Sequence, residues 1–355
     1  SHTVSGTWTN STTASGWDAG TGTVTFDSAT GGTMTFAGTN LSEDEFNNVT
    51  FTSSAGTAQT FTMATRGLRL GGTLTISDGT STTALSTSGS NLAVTAGAVT
   101  IGAGGILTAN GSTITVSGNW DSSAGTFTYG TSTVVFATTG TVSVNSGGLG
   151  AASFYSGTVN AGVTTTFNSA MSFSNVFTLN GTAQDGNNSF ILGFGIATAQ
   201  TNPLVIGGSG AFAQTLGAEF LGSTTYNVPG GTYITLFIRD VSASGASVTA
   251  TVTGNITVTG FGAYHAEWGL GSISMGIVNG SSPNVPLIFN LNGFNLTASS
   301  PNATFEIAIG GVDESRFLAQ NGTVTIGSIN VRAAASYIDL GSSTWTVSGS
   351  WTNIG

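Results

Sequence analysis

The sequence predicts an all-β protein, a parallel β-solenoid (β-helix) of short Thr/Val/Gly-rich strands. Three observations predict it. Four-residue phrases that alternate apolar residues with Thr recur along the chain. Glycine-containing corners separate them about every seven residues. A longer phrase, TVSGTWTN at 3–10, returns as TVSGNWDS at 115–122 and as TVSGSWTN at 346–353.

The short phrases include TVTF (23–26), TMTF (33–36), TLTI (73–76), AVTI (98–101), TITV (113–116), TVVF (133–136), TVSV (141–144), NITV (255–258) and TVTI (323–326). Alternation at period two sends Val, Ile and Phe to one face of a sheet and Thr to the other. β-branched residues suit a pleated surface, and Gly and Asn suit tight corners. No window rich in Ala, Leu, Glu and Lys supports a helix.

Between 91 and 136 the text divides into NLAVTA, GAVTIGA, GGILTAN, GSTITVS, GNWDSSA, GTFTYGT and STVVF. Units of a strand plus a corner suit a solenoid in which about three strands close a coil of about 20–25 residues, each coil stacking on the next. The alternative is a set of β-sandwich modules with terminal strand exchange. Asn-Gly pairs such as Asn110-Gly111 and Asn321-Gly322 mark sharp corners but leave strand direction open. The long phrase suggests a first module over 1–120 and a second, longer one over 121–355. Irregular insertions are expected around 176–250, with no flexible linker.

Composition narrows the function. Hydrophobic residues make up 39% and charged residues 6%, which is not a disordered profile. Net charge is −10, with no lysine and five arginines: Arg66, Arg69, Arg239, Arg316 and Arg332. Nucleic-acid binding needs clustered cations, so it is not expected, and an anionic membrane surface is disfavoured for the same reason. No apolar run is long enough for a membrane helix. The acidic, Thr/Ser/Asn-rich chain without cysteine points to the outside of a cell, and its opening on Ser1 reads as a processed product or a trimmed fragment.

Groups able to do chemistry are sparse. His265 and Glu267, in AYHAEW at 263–268, share one face if this stretch is a strand, with Tyr264, Ala266 and Trp268 on the other. That is a candidate carbohydrate site, set against a local insertion covering a corner. Glu43, Asp44 and Glu45 form the densest acidic run and could ligate Ca²⁺, as could Asp313 and Glu314; no metal-loop spacing supports either, and solvated loops are the simpler account. No acid–base pair can be named. No catalytic residue, cofactor or metal site is therefore assigned, and the chain is read as not an enzyme. Sequons such as Asn10, Asn48 and Asn110 are near chance frequency in so Asn- and Thr-rich a chain. Trp8, Trp120 and Trp351 recur inside the long phrase, which favours a packing role.

GGTLTISDGT, NLAVTAGAVTIGAGGILTANGSTITVSGNW, YNVPGGTY, LNGFNLT and YIDLGSSTWTVSGSWTN resemble segments of the large β-strand-repeat surface proteins of microbes, similar in style to filamentous-haemagglutinin-type adhesins. The resemblance implies secretion, a parallel β-solenoid and a surface or adhesive role. It carries no catalytic residue.

Solenoid ends present strand edges that template pairing unless they are capped. Neither 1–10 nor 345–355 reads as a cap. Val4, Trp8, Trp345, Val347 and Trp351 are accordingly the expected subunit interface of a head-to-tail homopolymer, an extracellular filament. The alternatives are an adhesin or stalk segment of a larger surface protein, and a glycan-binding or glycan-cleaving β-helix, with surface glycans as partners.

Overall fold

The computed structural model describes residues 1–10, 20–36, 46–54, 56–77, 79, 81–145, 153–186, 188, 190–195, 200–240, 247–260, 264–265, 269–270, 272–277, 286–298, 300–307 and 314–353. Among them there is no helix. The chain forms two compact units, Ser1–Gly147 with Ser153–Ser169, and Gly148–Ala152 with Ala170–Gly355. Each is a parallel β-solenoid, so the sandwich alternative, which needs antiparallel partners, does not form.

In the first unit the chain winds round three faces in a fixed order. One coil runs through Val94–Ala96 on the third face, Ala98–Ile101 on the first and Gly105–Thr108 on the second, then returns to the third at Thr113–Val116. Strands of successive coils pair in parallel. On the first face Val24, Val49, Leu74, Val99, Trp120, Val142 and Phe167 form one continuous row of register partners. Their numbers advance by 25 (24 to 49, 49 to 74 and 74 to 99), then 21 (99 to 120), 22 (120 to 142) and 25 (142 to 167). Every member is at most 2% exposed.

Register fixes the face of each side chain, because a slip of one residue would turn the whole row outward. The interleaved threonines Thr25, Thr50, Thr75 and Thr100 therefore stack on the outside, half-buried. Inside, Phe26 stacks on Phe51 with ring centroids 5.1 Å apart and planes 18° apart. Trp120 is fully buried, packs edge-on against Phe127 and Phe154, and donates its indole N–H to Ser122 Oγ at 3.0 Å. It stands in mid-row, so the boundary expected at 120 falls inside this unit.

The second unit carries an eight-stranded face from Met171–Phe173 to Trp351–Asn353 and two five-stranded faces, ending at Tyr337–Asp339 and Thr344–Val347. The stretch expected to be irregular, 176–250, contains regular coils: Phe173, Phe194, Phe220 and Ile238 are successive register partners, all 0% exposed. On this face the longest advances come later, from 236 to 273 and from 273 to 305. The alternation is hidden in Gly217–Gly222 and Thr235–Asp240 because both sides of these strands are buried. A strand covered on both faces reads as a continuous apolar run instead of an alternating one.

Candidate assembly surfaces

The last coil of the second unit continues the interior rows and then leaves them uncovered. Phe317 pairs in register with Ile338, Val324 with Trp345, Ile326 with Val347, and Ile329 with Trp351. The four inner residues of the preceding coil are at most 1% exposed. Their successors Ile338, Trp345 and Val347 are half-exposed, and Trp351 is 47% exposed. Leu340 follows the pair Leu318–Asp339 by one position, as Ala319 does on the other strand; Ala319 is buried and Leu340 is 44% exposed. The result is an apolar platform of five side chains. Trp345 holds it in place, with its ring edge-on to Phe317 at 5.8 Å, tilted against Trp351 at 5.5 Å, and its N–H on Ser343 Oγ at 2.6 Å. On the outer side the Arg316 guanidinium lies 5.2 Å over the Tyr337 ring and bonds Glu314.

The first coil of the first unit is the counterpart. His2–Val4 and Trp8–Asn10 are the end strands of their faces, paired to Thr23–Asp27 and Gly32–Phe36. Val4 and Trp8 stand on the inner rows above Phe26 and Met34, both fully buried, and are themselves half-exposed. Trp8 packs edge-on to Phe46 at 5.4 Å. All five expected interface residues, Val4, Trp8, Trp345, Val347 and Trp351, thus occupy inner-row positions of terminal coils. Sequence reasoning missed Leu340 and Ile338, which lie outside the long phrase.

The three copies of that phrase share one local structure: a strand ending in Val, a three-residue corner containing Gly, and a strand opening on Trp or Asp-flanked Trp. Within the first unit the two copies turn different corners. Residues 3–10 pass from the first face to the second, and 115–122 from the third to the first. The phrase therefore encodes a type of corner and not a modular repeat. Its glycine sits two residues before the inner-row residue and is packed against the coil before it. A Cβ on Gly118 would lie 2.6 Å from Gly97 O, and one on Gly140 2.2 Å from Gly118 O. A Cβ on Gly32 would lie 2.5 Å from Gly6 O, and one on Gly349 2.9 Å from Gly327 O. A Cβ on Gly6 would meet nothing within 4 Å.

No family model matches the chain, no curated protein matches it, and no solved structure matches it.

The remaining candidates fall mostly outside the described residues. Glu43, Asp44, Glu45, Glu267 and Asp313 lie outside the described residues, and so does the side chain of His265. The backbone of Tyr264–His265 pairs antiparallel with Gly269–Leu270. Glu314 is engaged by Arg316. Among the described residues no three His, Cys, Asp or Glu side chains cluster as metal ligands would.

A buried polar group that the sequence did not announce lies in the second unit. Arg239 Nη1 is 2.6 Å from Glu219 Oε1, both side chains being at most 5% exposed. The buried Tyr226 hydroxyl donates weakly to Arg239 O at 3.4 Å. Burial pushes its pKa well above the ordinary tyrosine value, and the carboxylates of Asp240 and Glu219 push it further. Glu306, 4% exposed, accepts from Asn330 Nδ2 at 2.7 Å and from Arg332. Asp185, fully buried, accepts from Phe190 N at 2.9 Å and from the Thr215 hydroxyl at 2.9 Å. These acids accept protein donors, as structural acids do. The broken alternation in GAEFLG and TLFIRD was the available signal.

Proposed function

We propose that this chain is a structural subunit of an extracellular filament, joined head-to-tail through its first and last coils. One observation carries the reading: the row Phe305–Ile329–Trp351 goes from 0% to 0% to 47% exposed within a single register. Burying a large apolar side chain contributes about 1.5–3 kcal/mol. Covering Trp351 and Leu340 is therefore a substantial drive for association, and an end strand offers backbone groups for further pairing. The counterpart, with Val4 and Trp8, is a different surface, so the contact is heterologous and propagates. The acidic, lysine-free, hydroxyl-rich exterior supports a place outside the cell.

Negative-stain microscopy of the purified chain is the test. Regular unbranched fibres are expected, reduced at least about tenfold in mass by Trp351→Ser. A wild-type chain that stays monomeric at high concentration overturns the reading.

A further inference from the structure

We infer that the joint is in phrase register, with Gly349–Trp351 of one copy laid on Gly6–Trp8 of the next. The inference rests on the head-to-tail reading and specifies its partner, a second copy, to the residue.

The glycine column carries it. At four such corners with a coil before them, the glycine faces backbone of that coil at a distance no Cβ tolerates: Gly97 and Gly118, Gly118 and Gly140, Gly6 and Gly32, Gly327 and Gly349. Where the next coil departs from this packing, Phe61 and Thr165 take the place. The need for glycine is imposed from outside the corner. Gly6 has the same place, two residues before the inner-row Trp8, yet a Cβ there meets nothing within 4 Å and its φ is not positive. Neither cause of a glycine operates on Gly6 among the described residues. A neighbouring coil supplies the cause, and the phrase names that coil: TVSGSWTN at 346–353 repeats TVSGTWTN at 3–10 with one Ser/Thr difference.

Overlaying the phrases sets Val347 on Val4 and Trp351 on Trp8, closing both inner rows. The backbone pattern continues as well. Gly349 N donates to Gly327 O at 2.6 Å, and Ile329 N donates to Ser350 O at 2.9 Å. The same pattern one coil on has Gly6 N donating to Gly349 O of the neighbour, and Trp351 N donating to the neighbour's Thr7 O.

Two measurements on the full chain test the register. Gly6→Ala is expected to leave the thermal midpoint of the monomer unchanged while raising the critical concentration for fibres at least about tenfold. The chain has no cysteine, so introduced pairs report without background. Adjacent strands lie about 4.8 Å apart, within disulfide reach. Oxidation is expected to link Thr9→Cys/Thr352→Cys subunits into ladders on a non-reducing gel, and not Thr3→Cys/Thr352→Cys subunits. Wild-type fibres accompanied by unimpaired Gly6→Ala fibres, or by linkage through 3 and 352, overturn the register and leave the head-to-tail reading standing. A wild type that never assembles overturns both.

Discussion

Ile329 and Trp351 are register partners on one inner row, yet Ile329 is fully buried and Trp351 is 47% exposed. The difference comes from what lies on the far side of each, because the two residues have equivalent places in their coils. Trp120 makes the same point: it has the same place in the phrase, and with a coil on either side it is fully buried.

Trp120→Ala is therefore expected to cost about 3–5 kcal/mol, the range for removing a large buried aromatic side chain. Trp351→Ala is expected to cost a small fraction of that in the monomer. Urea unfolding of both variants under monomeric conditions measures the contrast. Equal losses would mean that Trp351 is covered in the single molecule.

The Glu219–Arg239 pair gives a second expectation. Arg239→Met leaves the Glu219 carboxylate buried beside Tyr226 without its guanidinium, and losing one partner of a buried pair costs about 3–5 kcal/mol. The double variant Glu219→Gln/Arg239→Met is expected to recover much of that loss. A double-mutant cycle on denaturant midpoints decides it, and additive losses would show that the pair is not coupled.

Alkaline pH gives a third. Tyr226 and Tyr233 are fully buried and their hydroxyls titrate far above the ordinary value. The folded pKa is the higher one, so this contribution is complete below about pH 10, where an unfolded tyrosine titrates. It is lost as pH rises beyond that, at up to about 1.4 kcal/mol per pH unit for each group. Stability profiles between pH 8 and 11 are expected to fall above pH 10, and less steeply in Tyr226→Phe and Tyr233→Phe. Identical slopes in all three proteins would contradict the burial of the hydroxyls.

The repeating interior was legible in the sequence wherever one side of a strand meets solvent. The row from Val24 to Phe167 follows directly from alternation, since Thr25, Thr50 and Thr75 mark the outside. Glu219 and Arg239 were not legible, because both sides of their strands are covered and period two disappears. The corner phrase was legible as a phrase. Its meaning was not, because local sequence specifies how the chain bends and not which coil the bend faces. Leu340 escaped notice for a related reason: its inner position follows from pairing with a strand more than twenty residues earlier, and no short-range pattern reports that.

The arginines described above have one more consequence. A trypsin-like protease must draw an extended stretch around Lys or Arg into its cleft, and such stretches are found at detached loops and chain tips. This chain has no lysine. Arg69, Arg239 and Arg316 lie within paired strands, Arg66 is buried against the Phe36 ring, and Arg332 directly follows a strand and is held by Glu306. Digestion at the four arginines within or against paired strands must wait for their coils to peel away, so the same stacking that builds the interior also shields these bonds from cleavage, and Arg332 is the expected first cut.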